Sequence, residues 1–146
     1  MSGTVGERMR TAAPAVVRVG LALVFLWFGA MQLQNPDVWV GFVPSWIAST
    51  SVAPTTVITF NGIFELVFGL ALLVGVYVRA VALLLALHLF GIAYIARGDI
   101  GMRDFGLAVA TLGIFFFGDD TLSLEHYLQK RKHRVEQRET PSPHAH

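Results

Sequence analysis

Four apolar runs constrain this chain more than any other feature. They occupy residues 15–33, 56–76, 80–96 and 100–117, each within or close to the ~17–25 residues that a helix needs to cross a hydrocarbon core ~30 Å thick. Only 14% of the residues are charged, against about 25% in soluble domains, so too little polar surface is available to cover such runs in water. In lipid, a segment of this kind satisfies its own backbone hydrogen bonds by becoming a helix. The expected fold is an all-α, integral membrane four-helix bundle. Arg8 and Arg10 precede the first run as they would in a secretory signal, but no A-x-A cleavage pattern follows and three more spans do, so it is read as a retained span.

Lysine and arginine placement sets the expected orientation. Arg8, Arg10, Arg79 and the tail residues Lys130, Arg131, Lys132, Arg134 and Arg138 fall on one side, against Arg97 and Arg103 on the other. Both termini are therefore expected in the cytoplasm of a multi-pass cell-membrane protein. The connection "NPDVWVGFVPSWIASTSVAP" then lies outside, with three prolines limiting helix length and Trp39, Phe42 and Trp46 spaced to face one way. It reads as an interfacial loop that anchors in the headgroup region, with a lid over an outward-facing pocket as the alternative. After the fourth span, "DDTLSLEHYLQKRKHRVEQRE" starts with capping residues at Asp120 or Thr121 and continues as a basic juxtamembrane helix suited to anionic lipid. The organisation is thus a cytoplasmic N-terminal segment (1–14), a four-span unit (15–128) and a basic, partly disordered tail (129–146).

The chain has no cysteine, which removes thiolate metal sites, cysteine-ligated iron–sulfur clusters and any dithiol relay of its own. No metal cluster, nucleophile–base triad or phosphate loop is evident. His144 and His146 in the tail read as exposed residues, and a single His88 within the spans cannot ligate haem from both sides. A net charge of +1 gives no field for nucleic acid.

The informative residues are the polar ones inside the spans. At 100° per residue, Asn61, Glu65 and Gly69 share a face of the second helix, with Gly62 at its edge. Arg18, Ala22, Phe25, Gly29 and Gln32 make one stripe along the first. His88 lies near the middle of the third, while Arg103 and Asp104 sit about one turn inside the outer end of the fourth if Asp99 caps it. A charge at the bilayer centre costs at least ~2.5–3.5 kcal/mol, so Glu65 needs protonation, a partner or water. His88, Asn61 and an inward-reaching Arg103 are the candidates. Glu65 and His88 are the candidate proton-exchanging pair, with Asn61, Arg103, Asp104 and Gln32 as candidate ligand-binding residues; the alternative is a polar contact that only fixes helix packing. Arg18, near the cytoplasmic boundary, is expected to pair with Asp119 or Asp120 or to reach lipid phosphate.

In order and spacing, "RVGLALVFLWFGAMQLQNP", "FELVFGLALLVGVYVRAVALLLALHL" and "RDFGLAVATLGIFFFGDDTLSLE" resemble the DoxX/DoxD-like family of small four-helix membrane proteins. The resemblance carries Arg18, Glu65, Arg79, Arg103 and Asp104 as matched polar positions. Many relatives have lysine near the outer end of the first helix, where this chain has Gln32 and Gln34. Some DoxD-like members are subunits of quinone-linked sulfur oxidation, as in thiosulfate:quinone oxidoreductase, and some DoxX-like members associate with partners in membrane-bound oxidoreductases. The resemblance therefore implies a quinone-interacting or membrane-anchoring subunit with no covalently bound cofactor. A protein partner would supply the redox centre. A non-catalytic assembly protein, alone or as a homo-oligomer, is the competing expectation, and a small-molecule carrier a third. Either way the chain meets membrane lipids.

Overall fold

A computed structural model describes residues 5–96, 98–118, 120 and 122–139. The described residues form α1 (Val5–Gln34), a 3-10 segment (Pro36–Phe42), the short α2 (Ser45–Ala48), α3 (Pro54–Val74), α4 (Val78–Ala96), α5 (Gly98–Phe117) and α6 (Leu124–Glu139), with no strand among them. Four of these are long and apolar enough to cross a membrane: Ala12–Gln34 within α1, then α3, α4 and α5. The molecule is an all-α four-helix membrane bundle. One end carries the start of α1, the α3–α4 turn and α6, and is called here the tail end; the opposite, loop end carries residues 35–53.

Local chemistry sets the element boundaries. The three loop prolines start helical segments rather than break them: Pro36 opens the 3-10 segment, Pro44 precedes α2 and Pro54 is the first residue of α3, where a missing N–H costs nothing. Gly75 closes α3 in the left-handed conformation (φ 79°), its N–H donating to the Ala71 carbonyl. Helix α6 is capped by Ser123, whose Oγ accepts the His126 N–H at 3.2 Å. That corrects the expected cap at Asp120 or Thr121: Asp120 instead accepts the Leu122 N–H at 2.9 Å in a turn of its own, and Thr121 lies outside the described residues.

Packing is by two helix pairs. Helix α1 lies chiefly against α3 and α4 against α5, with sparser contact of α1 with α5 and α3 with α4. The buried stripe of α1 contains Arg18, Ala22, Phe25, Gly29 and Gln32 as the spacing predicts. That of α3 is Ile58, Gly62, Glu65, Gly69 and Leu72, which corrects the expected face: Gly62 is central and half-buried Asn61 lies at the edge. Gly62 is central because α1 and α3 touch backbone to backbone there. A Cβ on Gly29 would stand 2.8 Å from the Gly62 carbonyl oxygen, and one on Gly62 would stand 2.9 Å from that of Gly29. Small residues permit such contact, which lipid does not drive through a hydrophobic effect. Along the centre of the bundle Phe25, Leu72, Val78, Leu85, Ala108 and Ile114 form one apolar cluster.

Arg18 ties the tail end together. Its Nε and Nη2 donate to the two Asp120 carboxylate oxygens at 2.6 and 3.2 Å, and its Nη1 donates to the carbonyls of Leu72 and Leu73 at 2.6 and 2.7 Å. Of the partners the sequence offered, the one seen is Asp120; Asp119 lies outside the described residues. The guanidinium also faces the negative end of the α3 dipole. Burial alone would raise the Asp120 carboxyl, but the hydrogen bonds from Arg18 and from the Leu122 amide, with the positive charge of Arg18, hold it below the usual carboxylate value. The first turn of α6 docks on the same corner. Its Glu125 N–H donates to the Gly75 carbonyl at 3.2 Å, and the Glu125 carboxylate accepts the Val78 N–H at 3.3 Å.

Candidate functional site

Sparse packing between the two helix pairs leaves a cavity of about 600 Å³ in the loop-end half of the bundle. Its walls are mostly apolar, with Leu21, Val24, Phe25 and Phe28 from α1, Ile58 from α3, Leu89, Ile92 and Ile95 from α4 and Leu107 from α5. Gln32, Asn61, Glu65, His88, Arg103 and Asp104 also line it. All six residues singled out in the sequence as candidates thus border one space.

They do not form one cluster. The inner group centres on Glu65, which is 3% exposed in the middle of a lipid-spanning helix. One of its carboxylate oxygens accepts the Gln32 amide at 3.1 Å and the other accepts the Asn61 amide at 3.0 Å; the Asn61 amide also donates to the Gln32 carbonyl at 2.7 Å. Gln32 is therefore bound directly to the carboxylate, a stronger involvement than its position at the end of the α1 stripe suggested. His88 approaches from α4, its Nε2 3.6 Å from a Glu65 oxygen. That is too long for a direct hydrogen bond, and Nε2 is buried with no hydrogen-bond partner. The His88 ring packs on Phe64, centroids 4.5 Å apart, which holds the imidazole edge toward the carboxylate.

The second group is Arg103 and Asp104, adjacent on α5. Nε and Nη2 of Arg103 both lie 2.8 Å from one Asp104 oxygen, and the guanidinium sits over the Phe28 ring at 5.1 Å from its centroid. Arg103 does not reach Glu65, which corrects the expectation of an inward-turned stem. The carboxylate one residue away neutralises its charge locally, and the Phe28 face holds it at the rim, where its side chain is half exposed.

The loop contributes more than its expected anchoring role. Val38, Trp39, Phe42, Val43, Pro44 and Ile47 border the cavity, with Trp39 edge-on to Phe28 and tilted against Phe42, both at 5.9 Å between centroids. Trp39 and Phe42 cover the space as a lid would, whereas Trp46, 69% exposed, points away and suits a headgroup anchor. Sequence reading passed over Phe28 and Phe64. Their signal is their register: each lies one helical turn from a polar cavity residue, Phe28 from Gln32 and Phe64 from Asn61.

Chemically, the arrangement offers an apolar chamber with two paired polar stations. His88 Nε2 and the nearer Glu65 oxygen stand 3.6 Å apart beside that chamber, with the nitrogen itself covered by its neighbours, so an oxygen of a bound molecule would meet it only after a small shift of the ring. Among the described residues no three His, Cys, Asp or Glu side chains converge in a metal-binding group.

A family model described as DoxX matches residues 13–98, a stretch that takes in Arg18, Gln32, Asn61, Glu65 and His88. No curated protein and no solved structure gave a significant match.

Proposed function

The chain belongs to the DoxX family, and from that premise we propose that it is the quinone-interacting or membrane-anchoring subunit of an oxidoreductase complex, with sulfur-linked chemistry in the partner. The observation that carries this reading is the buried, unpartnered Nε2 of His88 beside the Glu65 carboxylate, at the wall of an apolar chamber. A quinone is a lipophilic ring with hydrogen-bonding oxygens, and its reduction takes up two electrons and two protons. A partner's redox centre would supply the two electrons; Glu65 and His88 would hold one proton and pass it to the near ring oxygen, and the second proton would reach the far ring oxygen from water at the rim. Arg103 and Asp104 at the rim would meet the second polar edge of the ring. The lysine and arginine asymmetry supports a cytoplasmic tail end, which would turn the cavity toward the outer leaflet.

The test is substitution of Glu65 by Gln, which keeps shape and hydrogen bonding but removes titration. Glu65→Gln and His88→Ala are expected to leave a folded membrane protein while abolishing quinone-analogue binding or partner-dependent quinone reduction. A second reading has its own support: Gln32, Asn61 and Glu65 close on one another and bridge α1 to α3, as a polar device that fixes packing would. Under that reading, Glu65→Gln lowers thermal stability and leaves binding per folded molecule intact.

A further inference from the structure

Helix α6 carries features that neither the cavity nor the bundle uses. Its Leu124, Tyr127 and Leu128 are 39%, 64% and 51% exposed and lie at i, i+3 and i+4, a single apolar edge left open by the described residues. Lys130, Arg131, Lys132 and Arg134 are exposed on the following turns. From His126 to Arg134 the sequence contains no acidic residue, Glu136 and Glu139 coming only beyond it. The helix's own first acid, Glu125, is turned inward onto the Val78 amide. Apolar edge and a run of exposed cations thus occupy one stretch, anchored by the Ser123–Glu125 corner to the end of the spanning bundle, seven residues after the last residue of α5.

We propose that α6 is a membrane-surface helix that docks on the anionic leaflet at the tail end, its Leu124–Tyr127–Leu128 edge in the acyl–headgroup boundary and its four cations on lipid phosphates. Charge complementarity selects this occupant. A second copy of the chain would bring the same four positive charges, and a neutral surface would satisfy the apolar edge alone. Each cation adds about fivefold to partition onto an anionic surface, attenuated by salt within a Debye length of ~8 Å at physiological ionic strength. The docking corner fixes where the helix starts, so the lipid contact decides only where the rest of it lies.

The absence of cysteine from the chain makes the test direct. A single Leu128→Cys, labelled with an environment-sensitive fluorophore, reports the edge in the full-length protein reconstituted in nanodiscs. The expected result is a blue-shifted, quencher-protected signal in discs containing about one-third phosphatidylglycerol, reversed by high salt. The signal should be weak in phosphatidylcholine discs, and lost when Lys130, Arg131, Lys132 and Arg134 are all replaced by Gln. Equal protection in neutral and anionic discs, or protection that survives the fourfold replacement, overturns the proposal. So does protection that appears only when two copies share a disc, which would make a second chain the occupant. Circular dichroism of the charge variant in anionic discs checks that loss of protection is not loss of the bundle.

Discussion

Arg18 donates to the two oxygens of Asp120 and to the carbonyls of Leu72 and Leu73, so one side chain of α1 holds the end of α3 and the start of the tail. Its removal leaves a buried carboxylate and two α3 carbonyls without their partner. Arg18→Ala is expected to destabilise the protein by about 3–5 kcal/mol, read as a lowered unfolding midpoint in detergent micelles. Asp120→Asn leaves the buried guanidinium without its counter-charge and replaces one accepting oxygen by an amide that donates, and is expected to cost a comparable amount. The pH dependence follows from the direction of the Asp120 shift. A carboxyl held below its unfolded value stabilises the fold fully above that value and loses the contribution as pH falls through the folded one. Melting profiles should therefore be insensitive to this pair from neutral pH down to about 5 and fall only below about 4; Asp120→Asn should flatten that acid limb. The sequence already contained this pair as a choice between two aspartates. It could not choose, because two adjacent aspartates stand at almost the same distance along the sequence and only their placement in the fold tells them apart. Glu65 was legible as an inward carboxylate, since lipid leaves a charge few alternatives. That Arg103 would be retained by its own neighbour and by Phe28 was not, because such a choice depends on distances between helices.

At the scale of elements, the contact between α1 and α3 is set by what is missing from two side chains. Gly62→Ala would push a methyl into the Gly29 carbonyl oxygen, against rigid backbone, and is expected to cost about 1–3 kcal/mol while loosening the Gln32–Glu65 contact one turn away. Gly106 is the control: nothing lies within 4 Å of its Cβ position, so Gly106→Ala should be neutral or slightly stabilising in the same unfolding assay. Gly75 acts differently. It combines a left-handed φ with a Cβ position 2.6 Å from the Ser123 Cβ, so Gly75→Ala is expected to detach α6 from the α3–α4 turn, seen as faster proteolysis after Lys130 with the four spans intact. Helix existence was readable from length and hydropathy alone. The central place of Gly62 was not, because a period of 100° per residue locates a face to within one neighbour and leaves the partner helix to decide between Asn61 and Gly62. For Trp39, Phe42 and Trp46 the pattern offered both an anchor and a lid and could not divide them, since aromatic spacing serves an interface and a cavity equally well.

For the whole molecule, an even number of spans puts the start of α1 and helix α6 on one side of the membrane, and the lysine and arginine asymmetry is the argument for taking that side as the cytoplasm. Reporter fusions at the two termini and within residues 35–53 are expected to show cytoplasmic ends and an external loop; an external C-terminus would reverse the assignment. The layout also has a history, because the chain is made from one end. Gln32, Asn61 and Glu65 all belong to its first half, so the carboxylate can close on its amide partners as soon as the second span has left the ribosome, before His88 has been inserted. Arg18 can meet the Leu72 and Leu73 carbonyls that early, but not its counter-charge. Its aspartate follows 102 residues later, a delay of about 5–20 s at ordinary rates of synthesis. Throughout that interval the first span carries a cation with carbonyl partners but no counter-ion at the membrane boundary, where lipid phosphate can stand in for the missing carboxylate. Late arrival of Asp120 then acts as a latch, replacing lipid phosphate as the counter-ion once the fourth span is in place.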